Sequence, residues 1–284
     1  MKKIKSWELL KDLYSRFMND DLLSTGAQVT FFLLLSLSPF LIFLITLITY
    51  SPIVNFQDNL EVFAAVMPAN AYEILRDIIN QTINNRSGTL LSFGMLFTLW
   101  SSTSGVTSLI RGINRAYDQE ETRPFWKIIV VSVYFTFELA IVIIFSLILV
   151  VFGKIFGTEI FHFLGFSDVS LKIWSYVRFI IALITTILVF VSLYHNTPNR
   201  RLGFREVIPG AVVASLAWVI ISIAFSYYAN NFSNYTKVYG SLGGIIVLII
   251  WIYLSSIIIL MGAEINASLM FSKTGREKVK IKQF

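Results

Sequence analysis

The chain has 284 residues, of which 56% are apolar and 14% charged, with no cysteine and a formal net charge of +6. Soluble domains carry roughly a quarter charged residues, so this composition argues against a soluble enzyme and predicts an all-α polytopic membrane protein; long unbroken apolar runs, not short alternating ones, argue against a β-barrel. The missing cysteines exclude disulfides, thiolate nucleophiles and cysteine metal sites together.

Residues 1–26 scatter charge and contain no apolar stretch before a small-residue cleavage site, so no cleaved signal is expected. Trp7, Leu10, Tyr14, Phe17 and Met18 recur at helical spacing, with Lys3, Lys5, Lys11 and Arg16 on the rest of the circumference. The pattern predicts an interfacial helix, lying either on the membrane or on the protein's own cytoplasmic face.

A first span is predicted over 27–50, where Pro39 removes a backbone donor and kinks the helix, and Ser36 and Ser38 stand ready for the freed carbonyls. Residues 51–88 are too polar to span; Ala71, Leu75, Ile78, Ile79 and Ile83 predict short amphipathic helices there after Pro68. The second span, 89–109, ends rich in small residues: Ser101, Ser102, Ser104, Gly105 and Ser108, with Gly112 beyond. Ser104, Ser108 and Gly112 share one face, which suits either close helix packing or a polar path. A polar loop containing Asn114 follows.

The third span, 128–152, carries Glu138 ten residues from its start, about 15 Å deep at 1.5 Å per residue. An acid at that depth is expected to face protein or a hydrated cavity, and Arg178, near the beginning of the fourth span (173–193), is its candidate partner. The pair reads either as a structural salt bridge or as a coupling site for protons or substrate. The fifth span, 207–228, opens on Pro209 and Gly210, with Ala214 four residues after the glycine.

The sixth span, 243–267, follows the lead-in from Tyr239, and Gly240 and Gly244 predict a packing seam at GxxxG spacing. Its one charged residue, Glu264, sits near the inner end with Asn266, where water or a basic partner is within reach. Residues 273–284 form a basic tail. With these spans, seventeen lysines and arginines fall on the side of the termini and five on the other, so the positive-inside rule places both termini in the cytoplasm and 51–88 outside. The basic charge is thereby explained as orientation, which leaves no support for nucleic-acid binding.

His162 and His195 fall on opposite predicted faces, and no HExxH, Walker A, GxGxxG or GxSxG pattern occurs. No catalytic residue, metal or cofactor is therefore expected.

Several phrases together resemble the YihY/BrkB family of bacterial inner-membrane proteins, at times labelled as ribonucleases. They are Leu34–Pro39, Leu99–Ser102 with Gly105, Ile113–Tyr117, Val207–Ala211 through Trp218, Tyr239–Gly243, Trp251–Ser255 and Gly262–Ala267. The resemblance covers roughly residues 10–272 and implies a six-helix protein of the bacterial plasma membrane without a settled activity. The ribonuclease label fits the sequence badly, since it offers no soluble catalytic domain and no metal cluster.

Three functions remain. A transporter or flippase for a lipid-like or small amphiphilic substrate is the expectation, motivated by the kinked first helix, the intramembrane acid and the glycine-rich junctions. A scaffold or assembly factor binding partners or membrane lipids is the alternative, and a membrane-embedded enzyme is the third. Oligomeric state is not legible.

Overall fold

A computed structural model describes residues 6–50, 88–138, 141, 168–231 and 242–274. Those residues form helices and no strand: α1 (Ser6–Asn19), α2 (Leu22–Tyr50), α3 (Gly88–Ala116), α4 (125–138), α5 (Asp168–Asn196), α6 (Phe204–Asn231) and α7 (Leu242–Thr274). Among the described residues, three helical stretches are long and apolar enough to cross a membrane: Phe179–Asn196, Phe204–Tyr228 and Gly244–Thr274. Leu22–Ser36 is a shorter apolar helix. The polar segment 51–87, the later part of the third expected span, Gly240 and the tail from 275 lie outside the described residues.

The observed helices overrun the predicted spans into polar sequence. Hydropathy marks only the apolar part of a helix, whereas the backbone stays helical as long as its polar side chains find partners. The chain divides into two units, Phe31–Ser104 and the remainder.

Within Phe31–Ser104, the hydroxyls of the second expected span bond their own helix. Thr98, Ser101 and Ser104 donate to the carbonyls of Gly94, Phe97 and Trp100 at 2.6, 2.7 and 2.9 Å, and Ser102 donates to that of Thr98. A hydroxyl bonded one turn back can sit in an apolar setting without another helix to satisfy it. Pro39 lies inside α2, and nearby Ser36 donates to the Leu33 carbonyl at 2.7 Å.

The larger unit is built around α7. Ile110, Ile113, Phe135, Phe190, Tyr194, Ala211, Ala214, Ile258, Ala263, Ala267 and Met270 share one buried core, so α3, α4, α5, α6 and α7 all contribute. The closest approach is between α6 and α7. A Cβ on Gly210 would collide with the carbonyl oxygen of Gly262 and come within 2.5 Å of the Asn266 amide nitrogen. One on Gly262 would collide with the Tyr194 hydroxyl and meet the Ala214 methyl at 2.8 Å. These glycines let backbones touch where any side chain would hold them apart.

Gly26 and Gly112 make further approaches to α7: added Cβ atoms would lie 3.0 Å from Ile257 and 2.5 Å from Leu260. Toward the other end of the same helix pair, Trp218 of α6 donates to Ser255 of α7 at 3.0 Å, and Trp251 of α7 donates to Ser222 of α6 at 3.3 Å. The reciprocal bonds satisfy two indole N–H groups between apolar helices.

Of the expected seam, Gly240 lies outside the described residues; an added Cβ on Gly244 meets nothing within 4 Å, and among the described glycines of α7 the crowded one is Gly262. Spacing alone marks where a helix could approach; the partner's own small residues, here Gly210 and Ala214, decide where it does. Gly210→Ala should therefore lower the detergent melting temperature, at a cost of about 1–3 kcal/mol for overpacking, while Gly244→Ala should be neutral or slightly stabilising. Equal melting temperatures for the two variants would refute this account of the packing.

Candidate functional site

The polar residues of the larger unit converge on the C-terminal turns of α7. Asn266 reaches α6 with both ends of its amide: Oδ1 accepts from the Gly210 N–H at 2.6 Å, and Nδ2 donates to the Val207 carbonyl at 3.0 Å. The two bonds straddle Pro209, which has no N–H of its own to give the helix. Tyr194 of α5 donates to the Ile259 carbonyl at 2.7 Å, tying a third helix to the same stretch.

Glu264, half a turn away, faces α1. It is 1% exposed, and its partner Arg16 is 2% exposed. Arg16 Nη1 donates to Glu264 Oε2 and to the Ala116 carbonyl, each at 3.4 Å, and its Nε donates to Asp12 Oδ2 at 2.7 Å. The guanidinium also lies 5.1 Å from the centroid of the Phe271 ring. Ser268 donates to Asp12 at 2.5 Å, and Arg115 donates to the Asp20 carbonyl at 2.9 Å. One arginine thus links α1, the end of α3 and α7, with Arg16 and Glu264 closed to water and Asp12 still open to it.

Of the two outlets expected for Glu264, the structure supplies the basic partner, Arg16, while α1 covers the carboxylate and closes the other, water. One correction follows for α1 itself. Arg16 is not on the solvated circumference of α1; it lies in phase with Leu13 and Asp20, all three buried. The sequence held a signal for this: Asp12 and Arg16 are one helical turn apart, which orients the guanidinium before it meets α7.

A second cluster ties the loops together. Asn114 donates to Glu121 Oε2 at 2.8 Å and accepts from the Asn199 N–H at 2.7 Å. Arg123 grips both oxygens of Glu121, at 2.7 and 2.6 Å, and donates to the Thr197 carbonyl at 2.9 Å. The hydrogen bonds from Arg123 hold the Glu121 carboxyl below its usual range, outweighing the opposing effect of burial. Tyr117, just past α3, is buried, and burial pushes its phenol up, helped by the charges of Glu206 and Glu264.

Glu138 Oε2 accepts from Ser192 of α5 at 3.0 Å, and Asn196 donates to Ser192 at 3.3 Å. Glu138 is thus connected to the last turn of α5. Ser192 lies 14 residues beyond Arg178, about 21 Å along the helix. That span is far longer than an arginine side chain, so the register separates the two residues expected to pair; the Arg178 side chain itself lies outside those described. Of the remaining expected residues, Ser101, Gly105 and Ser108 are buried in α3 and Ser104 is half-buried, while Gly112 abuts Leu260 and Thr25.

A buried ion pair is costly to break from one side, because the remaining charge keeps its desolvation without its partner. Arg16→Met should therefore cost about 3–5 kcal/mol in an unfolding titration, and adding Glu264→Gln should recover a large part of it, since Asp12 can still reach water. Strictly additive losses would show that the two residues do not form the unit described.

A profile of the family described as "Virulence factor BrkB" matches residues 13–283. The putative ribonuclease-like protein YfkH of Bacillus subtilis is 44% identical over 260 residues, covering 92% of this chain and 94% of its own. The UPF0761 membrane protein IL2447 of Idiomarina loihiensis is 29% identical, covering 92% of this chain and 90% of its own. A UPF0761 membrane protein of Alteromonas mediterranea is 26% identical, covering 92% and 88%. No solved structure matches. A profile match over nearly the whole chain, a relative of almost the same extent and three helices able to cross a membrane identify this chain as a multi-pass bacterial membrane protein belonging to the BrkB family.

Proposed function

We propose that the protein is a six-span plasma-membrane transporter of the flippase type, with both termini cytoplasmic, that moves a lipid-like or small amphiphilic substrate. The observation carrying this reading is the half-buried Glu138–Ser192 pair between α4 and α5. Next to it run exposed apolar faces, with Val130, Tyr134 and Phe137 on α4 and Ile180, Ile184 and Leu188 on α5. A carboxylate and hydroxyl beside such faces offer polar partners to a headgroup while acyl chains lie along the apolar side chains. An acid in these surroundings is costly and is retained where it is used.

The tightly bonded junction of α1, α3, α6 and α7 favours a second reading, a non-transporting scaffold that presents the cytoplasmic surface to a partner. The ribonuclease-like wording attached to the Bacillus relative plays no part in either reading. Asp12, Glu121 and Glu264 are engaged by arginines of the protein itself, and none is held out toward a substrate.

Vesicles containing the purified protein should move a fluorescent phospholipid between leaflets faster than protein-free vesicles. Glu138→Gln should slow that movement about tenfold, equivalent to about 1.4 kcal/mol in the barrier. Wild-type vesicles indistinguishable from empty ones would leave the scaffold reading; an unimpaired variant would remove Glu138 from the mechanism. For orientation, a reporter fused within residues 51–88 should read extracytoplasmic, and a cytoplasmic signal would invert or break the six-span arrangement.

A further inference from the structure

We propose that α1 is held by two different media at once: its Leu13–Arg16 face by α7, and its Trp7, Leu10, Tyr14 and Met18 face by the headgroup layer of an anionic leaflet. At about 100° per residue the helix divides into three sectors. Leu13, Arg16 and Asp20 occupy one and are buried against the protein. Trp7, Leu10, Tyr14 and Met18 occupy a second and are 67%, 59%, 70% and 58% exposed. Glu8, Lys11, Ser15 and Asn19 occupy the third, also exposed and wholly polar. A helix with a protein side and a water side needs only these two; the apolar sector requires a third surrounding.

Position identifies that surrounding as lipid. The residues of α7 that hold α1 are Glu264, Ser268 and Phe271, all in its last turns. α7 has 33 residues, about 50 Å of helix against a hydrocarbon layer of about 30 Å, so its ends extend into the headgroup zone. Asp21, at φ 54°, and the Ser24 bond to its carboxylate at 2.8 Å make a sharp turn from α1 into α2. α1 is therefore fixed at both of its attachments beside helices that enter the membrane.

Charge selects the leaflet chemistry. Lys2, Lys3, Lys5 and Lys11 outnumber Glu8 and Asp12 over the first twelve residues. Lys11 lies over the Trp7 ring at 5.4 Å, on the border between the apolar and polar sectors. That is where an ammonium group can meet lipid phosphates while its stem stays on apolar surface. The inference holds whether or not the protein moves a lipid.

The absence of native cysteine makes the test direct. Leu10→Cys, Tyr14→Cys and Ser15→Cys variants of the full chain, each carrying an environment-sensitive fluorophore, are placed in phosphatidylglycerol nanodiscs with and without bromine near the headgroup end of the acyl chains. Labels at 10 and 14 should emit blue-shifted and be quenched by bromine, while the label at 15 emits as in water. The quenching should weaken in phosphatidylcholine discs. Water-like emission at 10 and 14 would overturn the proposal, as would a blue shift that bromine does not quench, the mark of a protein copy or partner on that face. Quenching equal in both lipids would overturn the anionic preference.

Discussion

Glu264 lies in the longest apolar helix among the described residues with almost none of its surface exposed, and a carboxylate in that position must have its charge answered inside the protein. The answer comes from Arg16, 248 residues earlier in sequence. This requirement fixes the N-terminal helix to the last one, draws the Ala116 carbonyl at the end of α3 into the same site, and places Asp12 where Ser268 can donate to it. A desolvated ion pair is a weak source of net stability. Its effect is positional: α1 can satisfy the arginine in this one seat, so its other faces are oriented as well.

The ion pair depends on how near the helices stand. Gly210 and Gly262 remove the side chains that would separate α6 from α7, and the Asn266 amide then spans the gap to two backbone groups of α6. Where the helices carry larger residues, the same need for satisfaction is met by longer side chains, as in the reciprocal Trp218–Ser255 and Trp251–Ser222 bonds. In an apolar setting neither device is optional, since an unanswered amide or indole N–H has no water to turn to.

The sequence phrases that resemble the BrkB family acquire individual physical roles in this arrangement. In Gly262–Ala267, the glycine admits Tyr194 and α6, Ala263 and Ala267 fill the core, Glu264 meets Arg16 and Asn266 holds α6. In Ile113–Tyr117, Ile113 packs in the core, Asn114 joins two loops, Arg115 caps the Asp20 carbonyl and Ala116 offers its carbonyl to Arg16. The two phrases are the two halves of one junction. The Glu138–Ser192 contact stands apart from it, half-buried and flanked by exposed apolar residues, which is why it is the place proposed for substrate.

The amino-acid sequence by itself determined that the chain is helical and membrane-embedded, because hydrocarbon burial acts on each segment independently and is readable as an apolar run. It also determined that Glu138 and Glu264 needed explaining, since a charge in such a run is visible without any partner. Tertiary structure alone decided the partners. Glu138 meets Ser192, 14 residues along α5 from Arg178, because the relative register of two helices depends on loops and packing that no single segment encodes. Arg16 looked like one more basic residue on an amphipathic helix, and only the docking of α1 buries it. GxxxG spacing pointed to Gly244, whereas the close crossing formed at Gly262, where α6 happens to present its own small residues. Segment-level energies are additive along the chain and therefore legible; pairwise ones require the second member to be in place.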